Sequence, residues 1–526
     1  MLRFSMMVAC FVLIACEQGN KEETNTTISE ESISEQTTTE TITTKNGDTE
    51  TLTTQKVKVE IEEETVSGSH YIPFPDGYGY MEDLKALQEA TDQGNRAVIR
   101  QHAWSLWAGI MQPSEELGWP LWYSWPNTKA AFKDTTPKPV GDKKVAKKNQ
   151  IKSKKSHSSV IQKNLENAPD VDTPAPVYDL PQQVIQNFPQ GICKDSKGNS
   201  ISCDGTHFLN NGDILIPTES LSRMAMDEIR DDKLYLQSTL NKKHQDGVAM
   251  LDLSPEWIVT KHMYWPVKAE GLTGIPVWKD NFPVTFTGYA GYEKWDTLVA
   301  VDPSGEKVGQ QAEVSFLYWV KDNSGKTELP TVTANAPVYG LESFYYHKIT
   351  QADWDSFDEA DKAVLTSASY WANNQPIGVG DYLVTIAMHV NTKELPSWTL
   401  QSVWWSDTPD EGIYAENRPE LPQAQGPWDH YLLTDSYAVP ANADGKVDIA
   451  VNPYIEGVIH PIATSCRNCH VRAGWPTGKT AGTASYQNPD CPGLLDDLTP
   501  ESECLKGLTL TDYLWIIPDR AVDDSE

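Results

Sequence analysis

The alternation of apolar and polar positions separates stretches of this chain that can fold from stretches that cannot. Leu84, Leu87, Val98, Leu106 and Ile110 recur at helical intervals, which predicts helix over 81–111, broken at Asp92-Gln93-Gly94. Residues 96–107 then form a stem for the aromatic run Trp119-Pro120-Leu121-Trp122-Tyr123-Ser124-Trp125-Pro126. Glu219 to Thr239 has helical composition, with Leu221, Met224, Met226 and Ile229. Beyond it, β-branched and aromatic runs bounded by Pro, Gly, Asn and Asp predict strands at 257–260, 284–289, 298–301, 314–319, 382–390 and 398–405. The expected class is α+β, with a β-rich antiparallel central domain and flanking helices over residues 70–440.

Two stretches lack that patterning. Residues 16–69 are mostly Thr, Glu and Ser with almost no aromatics, so they bury too little surface to offset ordering entropy and read as a solvated tether. Residues from about 129 to 175 are equally simple but basic, with Lys143-Lys144, Lys147-Lys148 and Lys152 to Lys155. They read as a disordered Lys-rich insertion within the central domain.

Chemistry enters at Cys466-Arg467-Asn468-Cys469-His470. C-x-x-C-H is the attachment signature for c-type haem: two thiols add to the haem vinyl groups, and the adjacent imidazole binds the iron. The spacing places Cys466, Cys469 and His470 on one helical turn. A zinc site needs four ligands, and no second Cys pair stands at zinc-ribbon or finger spacing. A thioredoxin-like redox pair expects a βαβ setting that the flanking residues do not supply. The cofactor reading is therefore one covalent haem c, with Cys466 and Cys469 as thioethers and His470 as proximal ligand.

From about 441 to 526 the chain resembles a c-type cytochrome, and the resemblance covers that stretch alone. It implies a mostly α-helical module in which 507–517 is the terminal helix, with Thr509 or Thr511 as N-cap. Electron-transfer cytochromes of that class take a Met as second axial ligand downstream of the motif, yet no Met follows Met388. His389 is the preferred distal candidate, because on a strand it faces opposite to Met388. His460 is the alternative, His262, His347 and His430 are less distinctive, and Met388 or Met263 are further options. An open sixth site is the remaining solution.

The amino terminus bears on where such a protein works. Arg3 precedes an apolar stretch from Met6 to Ala15 that is too short to span a bilayer, and it ends in Leu13-Ile14-Ala15-Cys16. This resembles a bacterial lipobox. It implies a signal peptide over 1–15, lipidation of Cys16 and a lipid anchor in the membrane. Glu17, where Asp would imply inner-membrane retention, points to the outer membrane of the cell envelope, facing the periplasm or the surface. In that oxidising compartment Cys193, Cys203, Cys491 and Cys504 read as disulfides, and proximity favours Cys193 with Cys203 and Cys491 with Cys504.

The formal net charge of −31 excludes nucleic-acid binding by the body of the protein and suits a basic redox partner. Eighteen Trp invite a carbohydrate reading, but Trp also fills β-rich cores, and no carboxylate pair or hydrolytic serine motif supports one. The expected function is an exported, lipid-anchored monohaem cytochrome in electron transfer or redox binding. The alternative is a haem enzyme, peroxidase- or oxygenase-like, with an open sixth site facing the large domain.

Overall fold

A computed structural model describes residues 38–43, 49–54, 71–114, 120–133, 193–194, 200–201, 216–279 and, with short gaps, 295–525. The chain divides into two compact units, Met1–Ser67 and Gly68–Glu526. In the first, within the stretch read as a tether, Thr38–Thr43 pairs antiparallel with Thr49–Thr54. The second carries all other described elements. Among the described residues, no helix is long and apolar enough to cross a membrane.

The helical expectation over 81–111 resolves into α1 (Leu84–Asp92) and α2 (Arg96–Ile110), broken where expected. Gly94 has φ +64°, a conformation that glycine adopts without a Cβ penalty, and Asn95 then caps α2 by accepting from the Val98 N–H. The inner face of α2 buries Ile99, Ala103, Trp104, Leu106, Trp107 and Ile110. The expected helix from Glu219 is corrected: Pro217–Leu221 is a strand, and helix begins only at α3 (Arg223–Asp231), followed by α4 (Gln237–Gln245). Ser222 decides the boundary, because its hydroxyl accepts from the Ala225 N–H as N-cap.

The strands of the two larger sheets are β1 (Pro217–Leu221), β2 (Ile258–Val267), β3 (Thr273–Val277), β4 (Thr297–Val301), β5 (Gln311–Leu317), β6 (Thr331–Tyr339), β7 (Tyr346–Lys348), β8 (Tyr382–Thr392), β9 (Thr399–Trp405) and β10 (Tyr431–Asp435). Five of them form an antiparallel sheet in the order β10-β9-β8-β2-β1, with β7 also paired to β8. A second sheet runs β3-β4-β6-β5, and its β4–β6 pair is parallel. The mixed α+β class with a β-rich antiparallel sheet therefore holds. The strand expected at 284–289 lies outside the described residues.

Residues directly opposite in a sheet project to one face, so the register sorts the side chains. Thr218, His262, Met388, Val403 and Leu433 form a row on one face. Here α2 and the aromatic loop pack: Trp122 stacks on His262 with ring centroids 3.6 Å apart, and Arg100 pairs with the buried Asp435 at 2.9 Å. The next row, Glu219, Lys261, His389, Ser402 and Thr434, projects to the opposite face. That face meets the C-terminal segment.

The C-terminal segment departs from the expected helical module. Its described helices are Pro453–Gly457, a π-turn, α5 (Cys466–His470), the turn Glu503–Leu505 and α6 (Ile516–Arg520). The expected helix over 507–517 is instead strand β12 (Thr509–Leu510), paired with β11 (Gly474–Trp475). Neither Thr509 nor Thr511 is an N-cap: the Thr511 hydroxyl donates to the Leu514 carbonyl at 2.8 Å. Asp512 and Tyr513, at φ +49° and +65°, then break any helix, since L-residues pay a steric cost in consecutive left-handed conformations. Leu498, Leu505, Leu510, Tyr513 and Ile517 share one apolar cluster with Leu221, Ile229, Leu240, Trp257 and Leu400 of the central region.

Candidate haem site

The motif helix α5 is short, and a local signal starts it. Ser465 caps it, its hydroxyl accepting from the Asn468 N–H at 3.1 Å. The five residues bring Cys466, Cys469 and His470 onto one turn. Behind them two polar residues fix the helix. Asn468 donates from Nδ2 to the Leu495 carbonyl at 2.6 Å. Arg472, 1% exposed, donates from Nε to the Asn468 carbonyl at 2.9 Å and from Nη1 to the Cys491 carbonyl at 2.7 Å. Cys491 and Cys504 form a disulfide, as their proximity in sequence suggested, so Arg472 ties the motif to a cross-linked loop. Sequence reasoning missed Asn468 and Arg472, which stand inside and just beyond the motif.

The break at Asp512 and Tyr513 has a direct consequence for His470. Outside any helical ladder, the Tyr513 carbonyl is available and lies 2.6 Å from His470 Nδ1. A carbonyl only accepts, so Nδ1 carries the proton and Nε2 keeps its lone pair. This is the second-shell bond that orients a metal-binding imidazole. Asp512 locks the turn: its Oδ1 accepts from Lys393 Nζ at 2.7 Å and from Trp398 Nε1 at 3.3 Å. Burial pulls His470 down to a pKa of about 4, with the Tyr513 bond opposing, so the ring is neutral at physiological pH.

Cys466 and Cys469 are half-buried, and neither is in a disulfide. The Cys466 thiol donates to the Ala450 carbonyl at 3.2 Å, and burial, reinforced by Glu456 and Asp435, pushes its pKa up. A reactive thiol–disulfide pair needs the opposite shift, a stabilised thiolate. Among the described residues, no group of three or more His, Cys, Asp or Glu gathers as a metal-ligand set.

His389 lies across from this motif. On β8 it projects from the sheet toward the C-terminal segment, where it meets Glu456. Its Nε2 is 2.6 Å from Glu456 Oε1. Burial works to raise the Glu456 pKa, but His389, the Asn452 N–H at 2.7 Å on Oε2 and Lys261 hold it at about 2. An ionised carboxylate only accepts, so His389 Nε2 is the donor, and its iron-binding lone pair is withheld while Glu456 holds the ring. Sequence reasoning missed Glu456, which has no signal of its own before the π-turn places it.

The other candidates separate cleanly. Met388 is fully buried on the opposite face, paired in register with His262. His262 is itself fully buried between Trp122 and Tyr264, and burial drives its pKa well below the ordinary value. His347 is bonded to Asp353 at 2.9 Å. Met263 is buried and, two residues along β2, shares the face of Lys261. His430 closes the turn Trp428–His430 before β10. His460, Cys16 and Cys203 lie outside the described residues, and Cys193 begins the two-residue strand Cys193–Lys194. Compared with family models, curated proteins and solved structures, the chain matches none.

Proposed function

We propose that this chain is a monohaem redox protein of the bacterial cell envelope, holding one haem c through Cys466 and Cys469 with His470 as proximal ligand. The observation that carries the reading is the His470 Nδ1 to Tyr513 carbonyl bond at 2.6 Å, which presets the tautomer with Nε2 free on the turn that also presents both thiols. Bound haem supplies one-electron chemistry at its iron. The residues here would supply its attachment and orientation: Cys466 and Cys469 would attach it, and Asn468 and Arg472 fix the motif helix. The cytochrome likeness is carried by the motif, since the described tail is strand, turn and one short helix. Lipid at Cys16, an outer-membrane address and a redox partner protein belong to the same proposal, on the lipobox and the motif.

Electron transfer or redox binding is the first reading. A haem enzyme is the second, and one observation favours it. Glu456 holds His389 Nε2–H, which would leave His389 a hydrogen-bonding group and not an iron ligand. Absorption spectra in both redox states, with and without carbon monoxide and then with peroxide, test both. A low-spin protein slow to bind carbon monoxide and without peroxide turnover supports the first, and fast ligand binding with peroxide turnover supports the second. A spectrum without haem overturns both.

A further inference from the structure

The turn that orients His470 continues into a line of buried groups that ends at the protein surface. Tyr513 presents its carbonyl to His470 Nδ1 at 2.6 Å, and the residue before it, Asp512, accepts the indole N–H of Trp398 on Oδ1 at 3.3 Å. The Trp398 ring stands edge-on to that of Trp257, with centroids 6.4 Å apart and planes at 85°. Trp257 donates in turn from Nε1 to Glu228 Oε2 on α3 at 2.6 Å. Both indoles are fully buried, whereas Glu228 is half-buried and Met224, one turn earlier on the same face of α3, is 37% exposed. Trp257, Trp398, Val471 and Tyr513 share one apolar cluster, and Cys466 packs against it.

Ordinary core packing does not account for this line. Trp398 has φ +66°, a left-handed conformation that is an outlier for so bulky a residue, and Asp512 and Tyr513 share it at +49° and +65°. Such strain persists only where the surroundings over-determine it. Here it holds one indole against the turn that carries the His470 acceptor. The hydrogen-bond partners are distinctive as well. Trp104, Trp107, Trp125 and Trp405 donate to backbone carbonyls, while Trp398 and Trp257 donate to two carboxylates, one leading to the motif and the other to α3.

We propose that Trp398 and Trp257 form the electron route between the haem held at Cys466 and Cys469 and the protein surface beside Glu228. This rests on the haem reading above and adds the path by which that redox site exchanges electrons with a partner. Electron tunnelling weakens exponentially with distance, and less steeply along covalent bonds, hydrogen bonds and packed aromatic rings than across gaps. The line from His470 to Glu228 consists of those three kinds of link. In one passage ferrous iron becomes ferric and a one-electron carrier at the surface is reduced; no bond breaks and no proton moves. The carboxylates at the two indole N–H groups keep the rings in place.

The test uses the full-length, haem-loaded protein carrying a ruthenium–polypyridine photosensitiser on the thiol introduced by Met224→Cys. A second labelled protein is made by Ile413→Cys, at a 52% exposed position on the loop before β10. A flash drives one electron from the excited label to ferric iron. Trp398→Leu, which leaves a gap in the line, should slow haem reduction about tenfold or more from the label at position 224 and less than about twofold from the label at position 413. Equal slowing from both labels, or none from position 224, overturns the proposal. Trp398→Phe, which keeps a buried ring but loses the bond to Asp512, serves should Trp398→Leu fail to fold, with the same contrast between labels expected. Indole N–H resonances of the unlabelled wild type give a readout without electron flow. That of Trp398 should shift between the ferric and ferrous forms by more than those of Trp104 and Trp107, which belong to the other apolar cluster. A Trp398 shift no larger than theirs also overturns the proposal. Failure of the underlying reading is distinct: the wild-type chain then carries no covalent haem, and this is read before any variant is compared.

Discussion

The two faces of the central sheet use the same residue types to opposite ends. On one, His262 is sealed between Trp122 and Tyr264, and neither ring nitrogen has a hydrogen-bond partner among the described residues. On the other, a single register step away, His389 meets an ionised carboxylate, with Lys261 beside it and His470 within electrostatic reach. Both histidines are candidates from sequence. Pleat and register separate them, since Met388 pairs with His262 and His389 pairs with Lys261. Burial alone therefore does not separate the two histidines; charge and partners do.

The largest effect that should divide the two faces is loss of the cofactor. Replacing Cys466 and Cys469 together by Ala should abolish haem staining of the denatured chain, whereas His262→Leu on the other face should leave the stain at wild-type intensity. Equal loss in both would erase the distinction.

Next in size is an effect on folding alone. Arg100, 3% exposed, is paired with the buried Asp435 at 2.9 Å and also donates to the Glu416 and Tyr414 carbonyls at 3.0 and 2.8 Å. Asp435→Ala strands that guanidinium, and urea unfolding should show a loss of about 3–5 kcal/mol. A loss under about 1 kcal/mol would mean that this face tolerates an unpaired charge, contrary to the contrast drawn here.

How much of this was legible in sequence follows from what each signal depends on. The motif was legible because attachment chemistry fixes its spacing, and the break at Gly94 because a left-handed glycine is a local requirement. The opposite facing of His389 and Met388 follows from strand periodicity alone. The tail was misread because Thr509, Leu510 and Leu514 suit a helix, while the conformations of Asp512 and Tyr513 are set by tertiary partners, Lys393, Trp398 and His470. Glu456 was not legible at all. Its meeting with His389 arises from a strand and a π-turn that bring distant positions together, and no short-range pattern encodes it.

The cleft face should also respond to Glu456. Its charge-assisted bond to His389 stabilises by about 1.5–3 kcal/mol, so Glu456→Ala should release the imidazole by roughly ten- to hundredfold. The ferric variant should become low-spin and the ferrous variant slower to bind carbon monoxide. His389→Ala should leave the spin state as in wild type. A low-spin wild type that turns high-spin in His389→Ala would show that His389 already fills the sixth site.

The smallest expected effect returns to His262. Its folded pKa lies well below the ordinary value of about 6.5 because burial disfavours the charged ring, so the unfolded chain binds the proton first. The stability held by the neutral ring is present above about pH 6.5 and lost as pH falls below it, with a slope of up to about 1.4 kcal/mol per pH unit. In His262→Leu that slope should diminish, at a stability cost within about 1 kcal/mol at pH 8, because a polar group without partners is exchanged for an apolar one. An unchanged slope would place the acid sensitivity on other groups.

The central claim is that Cys466, Cys469 and His470 hold one haem covalently against the His389 face of the sheet. Its most direct test is a pyridine haemochrome assay joined to an intact-mass measurement on the denatured wild-type protein. The account predicts one c-type haem per chain, retained after denaturation, with no free thiol at Cys466 or Cys469. A chain of bare polypeptide mass, with both thiols open to alkylation after expression with haem-attachment machinery, would contradict it.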